Sequence, residues 1–398
     1  MQPFPFREND GGGVRRWPAA QLRARSMTET FEERVAALQL EFFADDIEPP
    51  ADAKQWSPKS LFRFFESGGE WRPASAPSAA TSGAASTFHD NSTVSGIVLR
   101  AAGSKRFRDA KPKVFVTSAG IRIVYQISEG RKKENPPLVF LGGGQTGRVD
   151  ACLQFSAESD VWRDHTALIF DRRNTAASDV CFDGVGSGDG GVSENEAQRD
   201  DIIELLHSLE LGPYLLIGFS SGARLFALIA FARPDLVKAI AMIILTGGAL
   251  AASSLSSVYY LQHAEAARHG GMQAVVETPH YAACIKANAR SREHLLAMQP
   301  EAFISAMQAS AALYTRTANE PALGLTAAAL KQLSGDTVFV CNTWGEGPAD
   351  GAHTSAVSRA VASCIHGAEI VVNSQARVWF AALHAFVRRH SATPVALS

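Results

Sequence analysis

The pentapeptide Gly218-Phe219-Ser220-Ser221-Gly222 restricts what this chain can fold into more than any other stretch. Before it runs an apolar segment, 214–219, with the length and content of a buried strand. After it, residues 223–232 read as an apolar helix that Arg233-Pro234 brings to a stop. Strand and helix are therefore joined by a very tight turn with a serine at its tip. Glycines two residues to either side leave space for the backbones to cross closely. A serine held on such a turn projects its hydroxyl above the edge of a sheet, where a neighbouring base can activate it.

The rest of the chain supplies the sheet. Apolar, β-branched runs recur at 138–141, 167–171, 239–245, 337–342 and 368–373, with segments of helical pattern between them, 194–209 among these. Strands alternating with helices predict a mostly parallel central sheet with helices on both faces, the α/β class. Ahead of these runs, 114–117 and 121–125 flank Ser118-Ala119-Gly120 as a hairpin. One interval breaks the alternation. Residues 249–333 carry helical patterns and no strand, which predicts an insertion at the C-terminal edge of the sheet, a lid over Ser220.

Upstream, residues 1–26 read as a disordered tail and 27–72 as an N-terminal helical segment. Thr30 opens a capping box with Glu33, and Phe31, Val35, Leu38 and Phe42 share one helical face. These helices are expected to dock on the main domain or on a partner. Residues 73–110 form a flexible linker, rich in Ala, Ser and Thr up to about 94. The main domain is expected over 111–390.

Composition removes several classes of function. A net charge of −2 offers no field for nucleic acid or an anionic membrane. The most apolar stretch, 225–245, is interrupted by Arg233, Pro234, Asp235 and Lys238, so no membrane span is expected. Five scattered cysteines without a CxxC pair give no zinc or redox signature. They suit buried thiols in a reducing compartment, and the expected location is the cytoplasm. No metal-ligand cluster and no P-loop is present, and no cofactor is expected.

An activated serine needs a base, an acid that orients the base, and donors for the developing oxyanion. The donors fall to the backbone of Ser221 and of the glycine loop after 138–141, at Gly143 and Gly144. The acid belongs on the loop after 337–342, with Asp350 the first choice and Glu346 the second. A base is expected after the last strand, but there Ser374 to Trp379 already enter a helix. His384 lies within that helix among Trp379, Phe380, Leu383 and Phe386, and His390 lies at the tail. His353 is the remaining candidate. A rival reading takes Gly142-Gly143-Gly144-Gln145-Thr146-Gly147 as a GxGxxG loop, with Asp171 placed to hold the ribose of a dinucleotide.

Taken in order, 138–144, Asp171-Arg172-Arg173-Asn174 with Ser178, the pentapeptide around Ser220, and Asp350-Gly351-Ala352-His353 resemble the α/β-hydrolase superfamily. The resemblance covers roughly 111–390 and implies an α/β-hydrolase fold with a helical lid. It is not specific for a substrate; the expected function is a serine hydrolase cleaving an ester, thioester or related acyl or C–C bond of a small apolar substrate. Ser220 would be its nucleophile, His353 its base and Asp350 its acid. The alternative is a non-catalytic member of the fold that binds a ligand or acts as a scaffold.

Overall fold

The computed structural model describes residues 107, 110–145, 147, 160–186, 192–345 and 351–391. The expected tail, N-terminal helices and linker lie outside these residues apart from 107 and 110, and so do Glu346 and Asp350.

Eight strands form one sheet: β1 (Lys113–Val116), β2 (Arg122–Ser128), β3 (Leu138–Leu141), β4 (Ala167–Phe170), β5 (Tyr214–Phe219), β6 (Val237–Ile243), β7 (Val338–Asn342) and β8 (Glu369–Val372). Their order is β1-β2-β4-β3-β5-β6-β7-β8. The hairpin strands β1 and β2 run antiparallel, β2 pairs antiparallel with β4, and every later pairing is parallel. Strand β5, buried at all six positions, sits at the centre.

Side-chain alternation along the strands sorts the sheet into two faces. Val139, Leu141, Leu168, Phe170, Leu216, Ile240, Met242, Val338 and Val340 belong to one apolar cluster. It also includes Ile202, Leu205 and Leu206 from α2 (Glu194–Leu209) and Leu225, Phe226 and Ile229 from α3 (Ser221–Ala232). The intervening residues Leu138, Phe140, Ile169, Leu215, Ile217, Ala241 and Phe339 face the other way. They share a cluster with Trp162 of α1 (Asp160–Asp164) and with Trp379, Leu383 and Phe386 of the last helix, Ala376–His390. Burial of each such large side chain contributes about 1.5–3 kcal/mol before chain entropy is counted. Helix α2 starts on a complete capping box, in which the Ser193 hydroxyl accepts from the Glu196 amide and the Glu196 carboxylate accepts from the Ser193 amide.

The strand expected over 239–245 starts at Val237 and stops at Ile243. Ile244 takes φ 48°, which turns the chain out of the ladder. A β-branched residue in that region is rare, which is why the pattern alone ran two residues too far.

Between β6 and β7 lies the helical insertion. It comprises α4 (Gly248–Ser256), a π-helical turn (Ser257–Leu261), α5 (Gln262–Val276), α6 (Pro279–Ala287), α7 (Arg290–Ala297), α8 (Pro300–Arg316) and α9 (Ala327–Leu330). It has its own apolar cluster, with Tyr260, Tyr281, Phe303, Met307 and Tyr314 packed with Val180 and Phe182 of the segment that follows β4. The lid thus stands on the C-terminal edge of the sheet. Among the described residues no helix is long and apolar enough to cross a membrane.

A buried ion pair ties that edge together. The Arg173 guanidinium donates to both carboxylate oxygens of Asp201, each at 2.5 Å, with both side chains almost fully enclosed. Removing one partner of such a pair strands the other charge. Asp201→Ala is therefore expected to lose about 3–5 kcal/mol of stability, read from the urea midpoint. Replacing both partners, as Arg173→Met with Asp201→Leu, should restore much of it.

Candidate active site

Ser220 occupies the turn between β5 and α3 with φ 50° and ψ −113°, a strained conformation for a residue with a side chain. Two hydrogen bonds hold it there. Its amide donates to the Ile243 carbonyl at 2.9 Å, and its carbonyl accepts from the Arg224 amide at 3.1 Å. The flanking glycines are required by contact. A Cβ on Gly218 would lie 2.6 Å from the Ala223 amide nitrogen, and one on Gly222 2.6 Å from the Leu141 carbonyl oxygen. Any side chain at either position would push α3 away from the sheet.

Facing the serine is His353, with Nε2 2.9 Å from Ser220 Oγ, within the range for transfer of a proton. The histidine stands on the loop between β7 and the helix Ser355–Cys364, and that loop is held at both ends. Asn342, the fully buried last residue of β7, donates through Nδ2 to the His353 carbonyl at 3.1 Å and accepts on Oδ1 from the Trp344 amide at 2.9 Å. The Trp344 ring lies nearly parallel to the imidazole, with planes 14° apart and centroids separated by 6.5 Å. From the lid side, the Gly247 amide donates to the Ala352 carbonyl at 3.2 Å. Thr354 then caps the next helix, accepting from the Val357 amide.

Third comes the glycine loop after β3. Gly143 faces the nucleophile so closely that a Cβ there would lie 3.0 Å from Ser220 Cβ. The next carbonyl, of Gly144, is clamped by two donors, Arg172 Nη2 at 2.6 Å and Ser221 Oγ at 2.7 Å. Arg172 Nη1 also donates to Ser221 Oγ at 3.2 Å. Arg172 is buried, which disfavours its charge, and Glu194 nearby favours it. Burial likewise pushes the Glu194 carboxyl up, against the hydrogen bond from Asn174 and the charge of Arg172. The Asn342 clasp and the Arg172 clamp were not foreseen from the sequence. Arg172 was visible there only as part of the Asp171-Arg172-Arg173 turn.

The other candidates fall elsewhere. His384 packs against Trp162 on the opposite face of the sheet, with ring centroids 4.8 Å apart. His390 lies against Phe386. The dinucleotide reading fails on Asp171. It is 1% exposed, and Oδ2 accepts from the Ala177 amide at 3.2 Å. Gly147 also passes so close that a Cβ would lie 2.5 Å from Asp171 Oδ1. A carboxylate enclosed in that way cannot reach a ribose. Among the described residues no group of three potential ligands could hold a metal ion.

Two further histidines sit where the lid meets the turn after β4. His263 is 1% exposed with neither ring nitrogen hydrogen-bonded, and its ring centroid is 5.9 Å from that of His280. Each imidazole is lowered to about 4, mainly by burial, with the neighbouring His280 ring adding to the effect at His263, and at His280 the Arg172 charge adding to it against the hydrogen bond to the Asn174 carbonyl. Folded, both stay neutral where the unfolded chain would be protonated. The unfolded state therefore takes up the protons, and stability falls as pH drops from 6.5 towards 4. At pH 5 the loss is expected to be about 2 kcal/mol from each imidazole. Urea midpoints at pH 7.5, 6 and 5 measure it, and His263→Phe should shallow the slope. Glu194, whose carboxyl is raised, acts in the opposite sense.

Strand order, the antiparallel second strand, the serine turn after β5 and the lid after β6 together constitute the α/β-hydrolase fold with its nucleophile elbow. No family model matches the chain, and no curated protein does. Among solved structures it is similar to a hydrolase from Pseudomonas aeruginosa PA01, at 18% identity and a TM-score of 0.43, over 70% of this chain and 98% of that one. It is similar to the enol-lactonase from Burkholderia xenovorans LB400, at 18% identity and a TM-score of 0.44, over 70% and 99% of the two chains. A thermophilic esterase from Thermogutta terrifontis aligns at 17% identity and a TM-score of 0.45, over 71% and 100%.

Proposed function

We propose that this protein is a serine hydrolase acting on an acyl bond, an ester or thioester or a related C–C bond, of a small and mainly apolar substrate. The observation that carries the reading is the 2.9 Å contact between Ser220 Oγ and His353 Nε2 at a strained elbow. In this reading His353 takes the serine proton as Oγ attacks the carbonyl, then returns it to the leaving group. The amides of Ser221 and of Gly143 or Gly144 receive the oxyanion, on a loop braced by the clamp on the neighbouring Gly144 carbonyl. Leu250, whose Cδ2 would lie 3.0 Å from a Cβ on Gly351, and Trp344 put apolar surface beside the base. Asp350 is proposed to orient His353, with Glu346 as the alternative. A cytoplasmic location stays part of the proposal.

A fluorophosphonate probe tests the activated serine without requiring the natural substrate. Labelling of the wild type at Ser220 is the expected result. A folded wild type that takes no label, even with a small probe able to pass a closed lid, would favour the ligand-binding alternative. For the acid, Asp350→Asn is expected to slow labelling by about 10³–10⁴-fold while Glu346→Gln leaves it near the wild-type rate. The reverse pattern would exchange the two roles.

A further inference from the structure

Behind the oxyanion loop lies a small polar cavity of about 10 Å³, whose walls include Gly144, Ser221, Arg172, Glu194, Asn195 and Tyr260. That volume is close to one water-sized sphere, so it admits a single oxygen-bearing group and nothing larger. Asn195 is 4% exposed, and its Nδ2 donor has no hydrogen-bond partner. An unmade donor at that depth costs about 1–3 kcal/mol, so the site favours a group that accepts from it. Glu194 offers the opposite function. Its Oε1 accepts from Asn174 at 2.8 Å and Gln198 at 3.2 Å, and Tyr260 also hydrogen-bonds to the carboxyl, whose two oxygens together can take one more donor.

We propose that this cavity is a subsite for one hydroxyl group on the acyl part of the substrate, accepting from Asn195 and donating to Glu194. The proposal rests on the hydrolase reading of Ser220 and narrows its substrates to esters of short hydroxy acids that are otherwise apolar. Competing groups fit worse. An alkyl group leaves Asn195 unsatisfied, a carboxylate meets Glu194, and an ammonium meets Arg172. The acyl side follows from the walls. Gly144 and Ser221, whose amides hold the oxyanion in the proposed function, also wall the cavity, whereas His353, which serves the leaving group, does not.

Two measurements test it separately from the hydrolase reading. The first is the kcat/KM of the wild type for p-nitrophenyl esters of butyrate, 2-hydroxybutyrate and 3-hydroxybutyrate. One hydroxy ester is expected to be preferred by at least about tenfold, the worth of one well-made hydrogen bond. Asn195→Leu should bring that ratio to within about twofold of unity, and the near-isosteric Glu194→Gln should reduce it if the first variant does not fold. The second is binding of methyl butyrate and the two methyl hydroxybutyrates to Ser220→Ala, followed by thermal shift. Here too a hydroxy ester should bind at least about tenfold more tightly. Equal affinities for all three esters overturn the subsite, even if fluorophosphonate labels the wild type, and leave the cavity to a structural water. Selective binding in a protein that takes no label keeps the subsite and removes the hydrolase.

Discussion

In Ser220→Ala, fluorophosphonate labelling is expected to disappear, and in His353→Ala to fall by about 10⁴-fold or more. Turnover of any ester substrate should fall by about 10⁴–10⁶-fold in either variant. The double variant should be no worse in turnover than either single one. Nucleophile and base act as a unit, because a hydroxyl without its base is a poor nucleophile and a base without its hydroxyl has no proton to take. The non-additivity is the informative part. If the double variant fell by the product of the two single effects, His353 would act on Ser220 through something other than the 2.9 Å contact. Labelling of His353→Ala at the wild-type rate would remove the histidine from the mechanism altogether. Stability should change little in Ser220→Ala, which keeps the Cβ facing Gly143 and removes only the hydroxyl.

Arg172→Met is expected to lose labelling rate by about 10²–10³-fold, the loss seen when an oxyanion donor is misplaced. Arg172 touches no reacting atom. It positions the loop by donating to the Gly144 carbonyl and to Ser221 Oγ, so without it the Gly144–Gln145 peptide can turn and disturb the Gly144 amide of the peptide next to it. The same change removes one of the two cations, Arg172 and Arg173, whose charge favours the buried Glu194 carboxylate, and is expected to lower stability as well. Adding Glu194→Gln separates the two effects. Stability should recover in large part, because the carboxylate that Arg172 faced is gone, while the labelling rate should stay low, because the clamp is still missing. Recovery of both would mean that Arg172 contributes only by holding the fold. Arg172→Lys should rescue neither fully, since an ammonium cannot place two donors in the fork that reaches Gly144 and Ser221.

The fold was legible because each strand in the sheet's centre is short, apolar and followed by helical periodicity, and because tight turns require glycine. Gly218 and Gly222 announce a backbone crossing that the measured approaches explain. His353 could be named by excluding other histidines, and its distance from Ser220 depends on packing that no local pattern encodes. The residues that hold the site were not legible. Asn342 reads as the last residue of a strand, and its role emerges only when the chain returns eleven residues later to present the His353 carbonyl. Arg172 reads as part of a charged turn. It becomes a clamp because β3, β4 and the elbow bring Gly144, Arg172 and Ser221 together from separate stretches of sequence. Asn195 and Glu194 read as the polar first turn of an amphipathic helix, and only the lid's arrival encloses them.

The base hangs between two supports, the sheet through Asn342 and, through Ala352, the Gly247 amide on the stem that leads from β6 into the lid. Were the lid to open at that stem, enclosure and armament would be one motion. A lid that swung away would draw the 351–353 segment with it and part the imidazole from the hydroxyl, so the open protein would admit substrate with its serine at rest. Only a closed chamber would hold a serine able to attack, which spares the nucleophile from acylation by whatever drifts past the open mouth.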